Sequence, residues 1–142
     1  MKIKIYVAHP ISGIPPSQES LEKNIRKAIE FNETLTATYP NIQWYVPGAH
    51  DEFPQVALYN GLLKLEDILH IDKLILSTCD GLLAYEWAGS YGLVGELEYA
   101  TRLGLPIFRF RVMPTLSEID DFLNLVMDRK TEEGLRDTKG SV

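Results

Sequence analysis

Cysteine is nearly absent: Cys79 is the only one, so no intrachain disulfide can form and nothing points to a secreted, disulfide-stapled framework. Clustered positive charge is absent too. Fourteen Lys and Arg stand against twenty Asp and Glu, for a formal charge of −6, and no stretch gathers enough basic residues to track a phosphate backbone. Nucleic acid polymers are therefore not expected as partners, whereas a single anion can be held by N–H groups at a helix N-terminus without net positive charge. The first apolar run, in MKIKIYVAHP, turns to proline well short of a signal-peptide core or a bilayer span. No membrane partner is expected, and a cytoplasmic address follows. Three histidines and one cysteine show no metal-ligand spacing, a P-loop is missing, and there is no repeat or low-complexity tract, so no metal or cofactor is expected.

What is present describes one domain. The chain has 142 residues, of which 45% are apolar and 24% charged, enough to bury a core without staples. Residues 1–129 read as that domain and 130–142 as a polar C-terminal tail. Ile3, Ile5 and Val7 alternate with Lys2, Lys4 and Tyr6 and predict a first strand. From Ser20, Leu21, Ile25, Ala28, Ile29 and Leu35 recur at helical spacing until Tyr39-Pro40. IQWYV, from Ile42 to Val46, predicts a second strand closed by Pro47-Gly48, and Gln55 to His70 a second helix. The run GLLAY, from Gly81 to Tyr85, suits a central parallel strand. A third helix carries Leu97, Tyr99, Ala100 and Leu103 and stops at Gly104, followed by a strand from Pro106 to Phe110. A last helix opens at Pro114-Thr115 with Ile119, Phe122, Leu123, Leu125 and Val126 on its buried side.

Strands alternating with helices predict an α/β fold, a doubly wound parallel sheet of four to five strands, flavodoxin-like or Rossmann-like. Ligands of such sheets sit beyond the carboxyl ends of the strands. That singles out the loops HPISGIPPS, PGAHDEFP and EWAGSYGLVGE. In the third loop Ser90, Gly92 and Gly95 precede Glu96 and predict a glycine-interrupted helix entry whose free N–H groups face an anion. Glu96 then falls in or near the first helical turn, where the helix dipole favours an ionised carboxylate able to attack carbon. The same residues are also what an ordinary turn and helix start require.

The run from Gly92 to Pro106, GLVGELEYATRLGLP, resembles the glycine-to-proline segment of the nucleoside 2-deoxyribosyltransferases. IYVAHPISG resembles the first strand and loop of that superfamily, and CDGLLAY its central strand, so that recognisable motifs cover about half the chain. The resemblance implies that Glu96 attacks the anomeric carbon of a nucleoside or nucleotide and forms a covalent glycosyl-enzyme, after which water completes hydrolysis or a second base completes transfer. It implies that Asp72, or alternatively Asp80, positions the base and the nucleophile. It maps the first loop's substrate contacts onto Tyr6, His9, Pro10, Ile11, Ser12 and Gly13. It also suggests a dimer or larger homo-oligomer acting on a small-molecule nucleoside or nucleotide.

Ser90 stands where transferases acting on free nucleosides typically carry an aspartate; a serine there is similar to the deoxynucleoside 5′-monophosphate N-hydrolases, because a hydroxyl donates to a phosphate that an aspartate would repel. Two positions depart from the pattern. Glu98 occupies a position usually held by glycine and is the reserve nucleophile, and the first loop has no arginine for phosphate. Trp87, Trp44 and Tyr45 lie near the same loops, where aromatic faces stack on bases or simply fill a core. The WxxSxG string from Trp87 to Gly92 resembles a subgroup of small phage and bacterial proteins of this superfamily that carries no assigned reaction. Two further readings stay open: a non-catalytic nucleotide or ADP-ribose-derivative binding protein, and a phosphoribohydrolase whose GGxGTxxE loop is partly matched by GSYGLVGE.

Overall fold

In a computed structural model, which describes residues 2–11, 15 and 17–140 (without the side chains of 53, 55 and 136–140), four parallel strands form one sheet flanked by helices on both faces. The order in the sheet is β2-β1-β3-β4, built from β1 (Ile3–Ala8), β2 (Ile42–Tyr45), β3 (Gly81–Tyr85) and β4 (Ile107–Phe110). The expected α/β doubly wound sheet is therefore present, with four strands. The chain steps from β1 outward to β2 and returns past β1 to β3. Such a reversal opens a crevice beyond the carboxyl ends of β1 and β3.

Helices α1 (Gln18–Thr38) and α6 (Leu116–Gly140) cover one face, where Ile3, Ile5 and Val7 of β1 meet Phe31, Leu35, Phe122 and Val126. Helices α4 (Leu65–Leu76) and α5 (Tyr91–Arg102) cover the other, against Tyr6, Ala8, Leu82 and Ala84. Alternation along β1 thus sends Tyr6 to the face opposite Ile5 and Val7. Ser17 caps α1 by accepting the Ser20 N–H at 3.1 Å, so that the helix starts at Gln18, two residues ahead of the start that the apolar spacing marks.

Two elements differ from the sequence expectation. The single helix expected over Gln55 to His70 is divided between α3 (Glu52–Tyr59) and α4, with the short α2 (Pro47–His50) ahead of them. Asn60-Gly61 makes the break, since Gly61 adopts φ +71, a left-handed turn that a helix cannot continue through. The polar segment from Lys130 continues α6 to Gly140, and Lys130 ties that helix to the sheet by donating to Asp80 Oδ2 at 3.1 Å. Leu125 and Ile29, expected on buried helix faces, are exposed. Gly104 ends α5 as expected, at φ +70. Among the described residues no helix is long and apolar enough to cross a membrane.

Candidate active site

Three segments far apart in sequence converge under the carboxyl end of the sheet on the α4/α5 face. β1 supplies Tyr6, fully buried. α4 supplies Asp72, one turn from Ile68 and from Leu76, so the spacing of four that buries those two apolar residues turns the carboxyl inward with them. α5 supplies Glu96, buried on the stripe it shares with Leu93 and Ala100. Glu98, two positions on, points to the exposed side and lines a surface groove with Thr101, Arg102 and Arg109. The two glutamates therefore belong to opposite sides of one helix.

The electrostatics of Glu96 differ from expectation. α5 begins at Tyr91 with Ser90 as its N-cap, so Gly92 and Gly95 lie inside the helix and Glu96 is past its first turn, where the dipole's influence has faded. Burial dominates instead and pushes the Glu96 carboxyl up to about 8, against a lowering by Tyr6 and with added repulsion from Asp72 and Asp51. Burial likewise lifts Asp72 to about 7, reinforced by the charge of Asp51. Tyr6 is raised well above its ordinary range by burial and then by Glu96. Tyr6 Oη and Glu96 Oε2 are both buried and neither completes a hydrogen bond. Polar atoms held so are costly, by about 1–3 kcal/mol each, unless another molecule satisfies them.

Ser90 is nearly buried, and its side chain makes no capping hydrogen bond. Gly92 lies between it and the nucleophile candidate: a Cβ there would stand 3.9 Å from Ser90 Oγ, 4.0 Å from Glu96 Oε1 and 3.7 Å from Leu69. Tyr6, Asp72, Ser90, Gly92 and Glu96 are thus brought together. The remaining expected residues are placed differently. His9 is buried with Nδ1 2.8 Å from the Pro10 carbonyl and Nε2 accepting the Gly48 N–H at 2.9 Å, which fixes a neutral ring and leaves neither nitrogen for an anion. Burial lowers its pKa to about 4.

Trp87 stacks on His9 at 5.5 Å and donates from Nε1 to Asn24 at 2.8 Å, packing with the α1 side of the sheet instead of beside Glu96. Ile11 is half-buried and its carbonyl accepts from the same Asn24 at 2.8 Å. Ser12 and Gly13 lie outside the described residues. Asp80, the alternative to Asp72, sits at the start of β3, where it accepts the Lys4 N–H at 2.8 Å and pairs with Lys130. Trp44 is core, with Nε1 donating to the Tyr39 carbonyl at 3.3 Å.

Sequence reasoning missed one member and misread another. Asp51, almost wholly buried between α2 and α3, faces Asp72, and Tyr45 enters as a hydroxyl donor to Asp51 instead of as a stacking ring. The available signal was the acidic character of PGAHDEFP at the carboxyl end of β2. Among the described residues no group of three or more His, Cys, Asp or Glu side chains is arranged to hold a metal ion. Compared with known proteins, the chain matches no family model and no curated sequence.

Proposed function

We propose that this chain cleaves or exchanges the N-glycosidic bond of a nucleoside or nucleoside 5′-monophosphate, with Glu96 as nucleophile and Asp72 as the acid and base. The observation that carries the reading is a buried glutamate whose Oε2 has no protein partner, held between a tyrosine hydroxyl and a second carboxyl. In the first step Glu96 carboxylate bonds to the anomeric carbon, the C–N bond breaks, and its electron pair leaves with the base, which takes the proton of Asp72. Water, or a second base, then gives a proton back to Asp72 and displaces Glu96 from the sugar. Ser90, free of capping duty, is assigned to the 5′ substituent. The resemblance to nucleoside 2-deoxyribosyltransferases supports the same assignment and makes a homo-oligomer the expected assembly.

The reaction needs one proton on the Asp72–Glu96 pair, with Asp72 protonated and Glu96 ionised. With Asp72 near 7 and Glu96 near 8, the one-proton state peaks between those values with its proton mainly on Glu96, so the reactive arrangement is the minor form, about a tenth of it, and base release follows a bell centred between pH 7 and 8. The test is incubation with a panel of nucleosides and 5′-monophosphates, reading free base by chromatography, beside Glu96→Ala. Release that disappears in Glu96→Ala supports the reading. No release from any member, together with tight binding of one, replaces it with a nucleotide-binding protein that uses protonated Glu96 as a hydrogen-bond donor. Release kept in Glu96→Ala and lost in Glu98→Ala moves the nucleophile to Glu98.

A further inference from the structure

Asp51 takes no part in the steps above, yet it is among the most deeply buried charged residues described, 3% exposed at the junction of α2 and α3. The Tyr45 hydroxyl at the end of β2 lies against Asp51 Oδ1 and 3.5 Å from Asp72 Oδ1. A hydroxyl has one proton to donate, and the nearer carboxyl takes it. Asp51 and Asp72 thus lie on either side of one hydroxyl, and the charge of Asp51 raises Asp72. Buried like charges placed so near one another resist ionising together.

Asp51 is the better provided with support for a negative charge, accepting from Tyr45 and lying beside His50, whose ring stacks on Tyr45 at 5.6 Å. Asp72 has the weaker contact with Tyr45 and is left as the partner that keeps the proton. The groups facing the pair are Tyr45 from β2, His50 from α2, Tyr6 from β1 and Glu96 from α5. We infer that Asp51 holds a proton on Asp72, with the Tyr45 hydroxyl directing the negative charge to Asp51: the two aspartates share one proton as a buried acid–carboxylate pair, with Asp51 the positioning residue for the proton that Asp72 gives to the departing base.

The inference rests on the glycosidic reading for its last step only. When Asp72 protonates the base, it becomes a carboxylate beside ionised Asp51; the repulsion between them drives recapture of a proton from the incoming water or second base, which restores the pair. No other proton source is required, and the proton count closes over the cycle.

The test follows the carboxyl carbons of ¹³C-aspartate-labelled protein by NMR from pH 3 to 9, without substrate, in the wild type and in Asp72→Asn, Asp51→Asn and Tyr45→Phe. One aspartate should titrate near neutrality and vanish in Asp72→Asn. In Asp51→Asn its midpoint should fall by about one pH unit or more, since the repelling charge and the shared hydrogen bond are both gone. In Tyr45→Phe it should move the other way, because the hydroxyl that favours the ionised pair is lost.

Opposite signs from the two variants are the signature, and Tyr45→Phe with the wild type carries the test if Asp51→Asn does not fold. The acid limb of base release should move with the midpoint. No aspartate titrating above about pH 5.5, or a midpoint unmoved by both variants, overturns the inference even where base is released and leaves the glycosidic reading standing. The paired titration without base release from any substrate supports the shared proton and removes the glycosidic reading.

Discussion

Against one face of the sheet, α1 and α6 pack large rings, Phe31, Tyr85, Phe108, Phe110 and Phe122, with Phe31 edge-on to Tyr85 at 5.1 Å. Against the other, α4 and α5 meet the small side chains of Ala8 and Ala84 at the carboxyl end of the sheet, on the face that carries Tyr6, Asp72 and Glu96. The first face gains dispersion and apolar burial wherever it is touched. The second carries two buried polar atoms without partners and three carboxyls with raised pKa values. A fold tolerates such a cluster when the opposite face supplies the stability, and strain of that kind collects where another molecule is to bind.

The largest expected effect separates the two faces outright. Glu96→Gln should lower base release by about 10³-fold or more while leaving the protein folded. Phe122→Ala should cost about 3–5 kcal/mol in denaturant unfolding and leave the pH profile of the surviving native protein unchanged. A reversed pattern, with stability lost at Glu96 and chemistry lost at Phe122, breaks the comparison.

Next comes the pH dependence of stability. Asp72 and Glu96 hold protons more tightly folded than unfolded, so the stability they contribute is full below their ordinary values near 4 and is lost as pH rises through about 7 and 8. His9 works in the opposite direction: its lowered pKa makes the protein lose stability as pH falls from 6.5 toward 4. Between pH 6.5 and 8 only the carboxyls of this set act, and the urea midpoint of the wild type should fall by the equivalent of about 1–2 kcal/mol. Glu96→Gln should flatten that fall; an equal slope in both proteins would show that Glu96 does not ionise there.

Two glycines of α5 sharpen the contrast at smaller amplitude. Gly95→Ala meets nothing within 4 Å and should raise stability by about 0.5–1 kcal/mol with activity unchanged. Gly92→Ala should gain similarly in stability but lose substrate turnover, because its methyl group stands beside Ser90 Oγ and Glu96 Oε1. The smallest effect is expected at Glu98: exposed on the outer side of α5, its change to Gln should alter base release less than about two-fold and stability by no more than about 0.5 kcal/mol.

Much of this was legible in the residues themselves. The period of two in β1 separates Tyr6 from Ile5 and Val7, and the spacing of Leu93, Glu96 and Ala100 turns Glu96 inward and Glu98 outward before any neighbour is known. The Asn60-Gly61 break is a local turn signal that apolar periodicity over Gln55 to His70 conceals. His9 and Trp87 are different. Their types suit a ligand, but their hydrogen bonds go to Gly48 and Asn24, 39 and 63 residues away.

The sequence by itself determined the alternation of strands and helices, the face on which each candidate side chain stands, and the absence of disulfides and basic stripes. These depend on period and composition, which are local. Only the tertiary structure decided that Asp51 meets Asp72, that Trp87 is occupied, and that Glu96 is held protonated near neutral pH instead of ionised by a helix dipole. A carboxyl's charge state depends on how much water its neighbours exclude and which charges they bring. Here those neighbours arrive from β1, the α2–α3 junction and α4, and no stretch of sequence around Glu96 contains them.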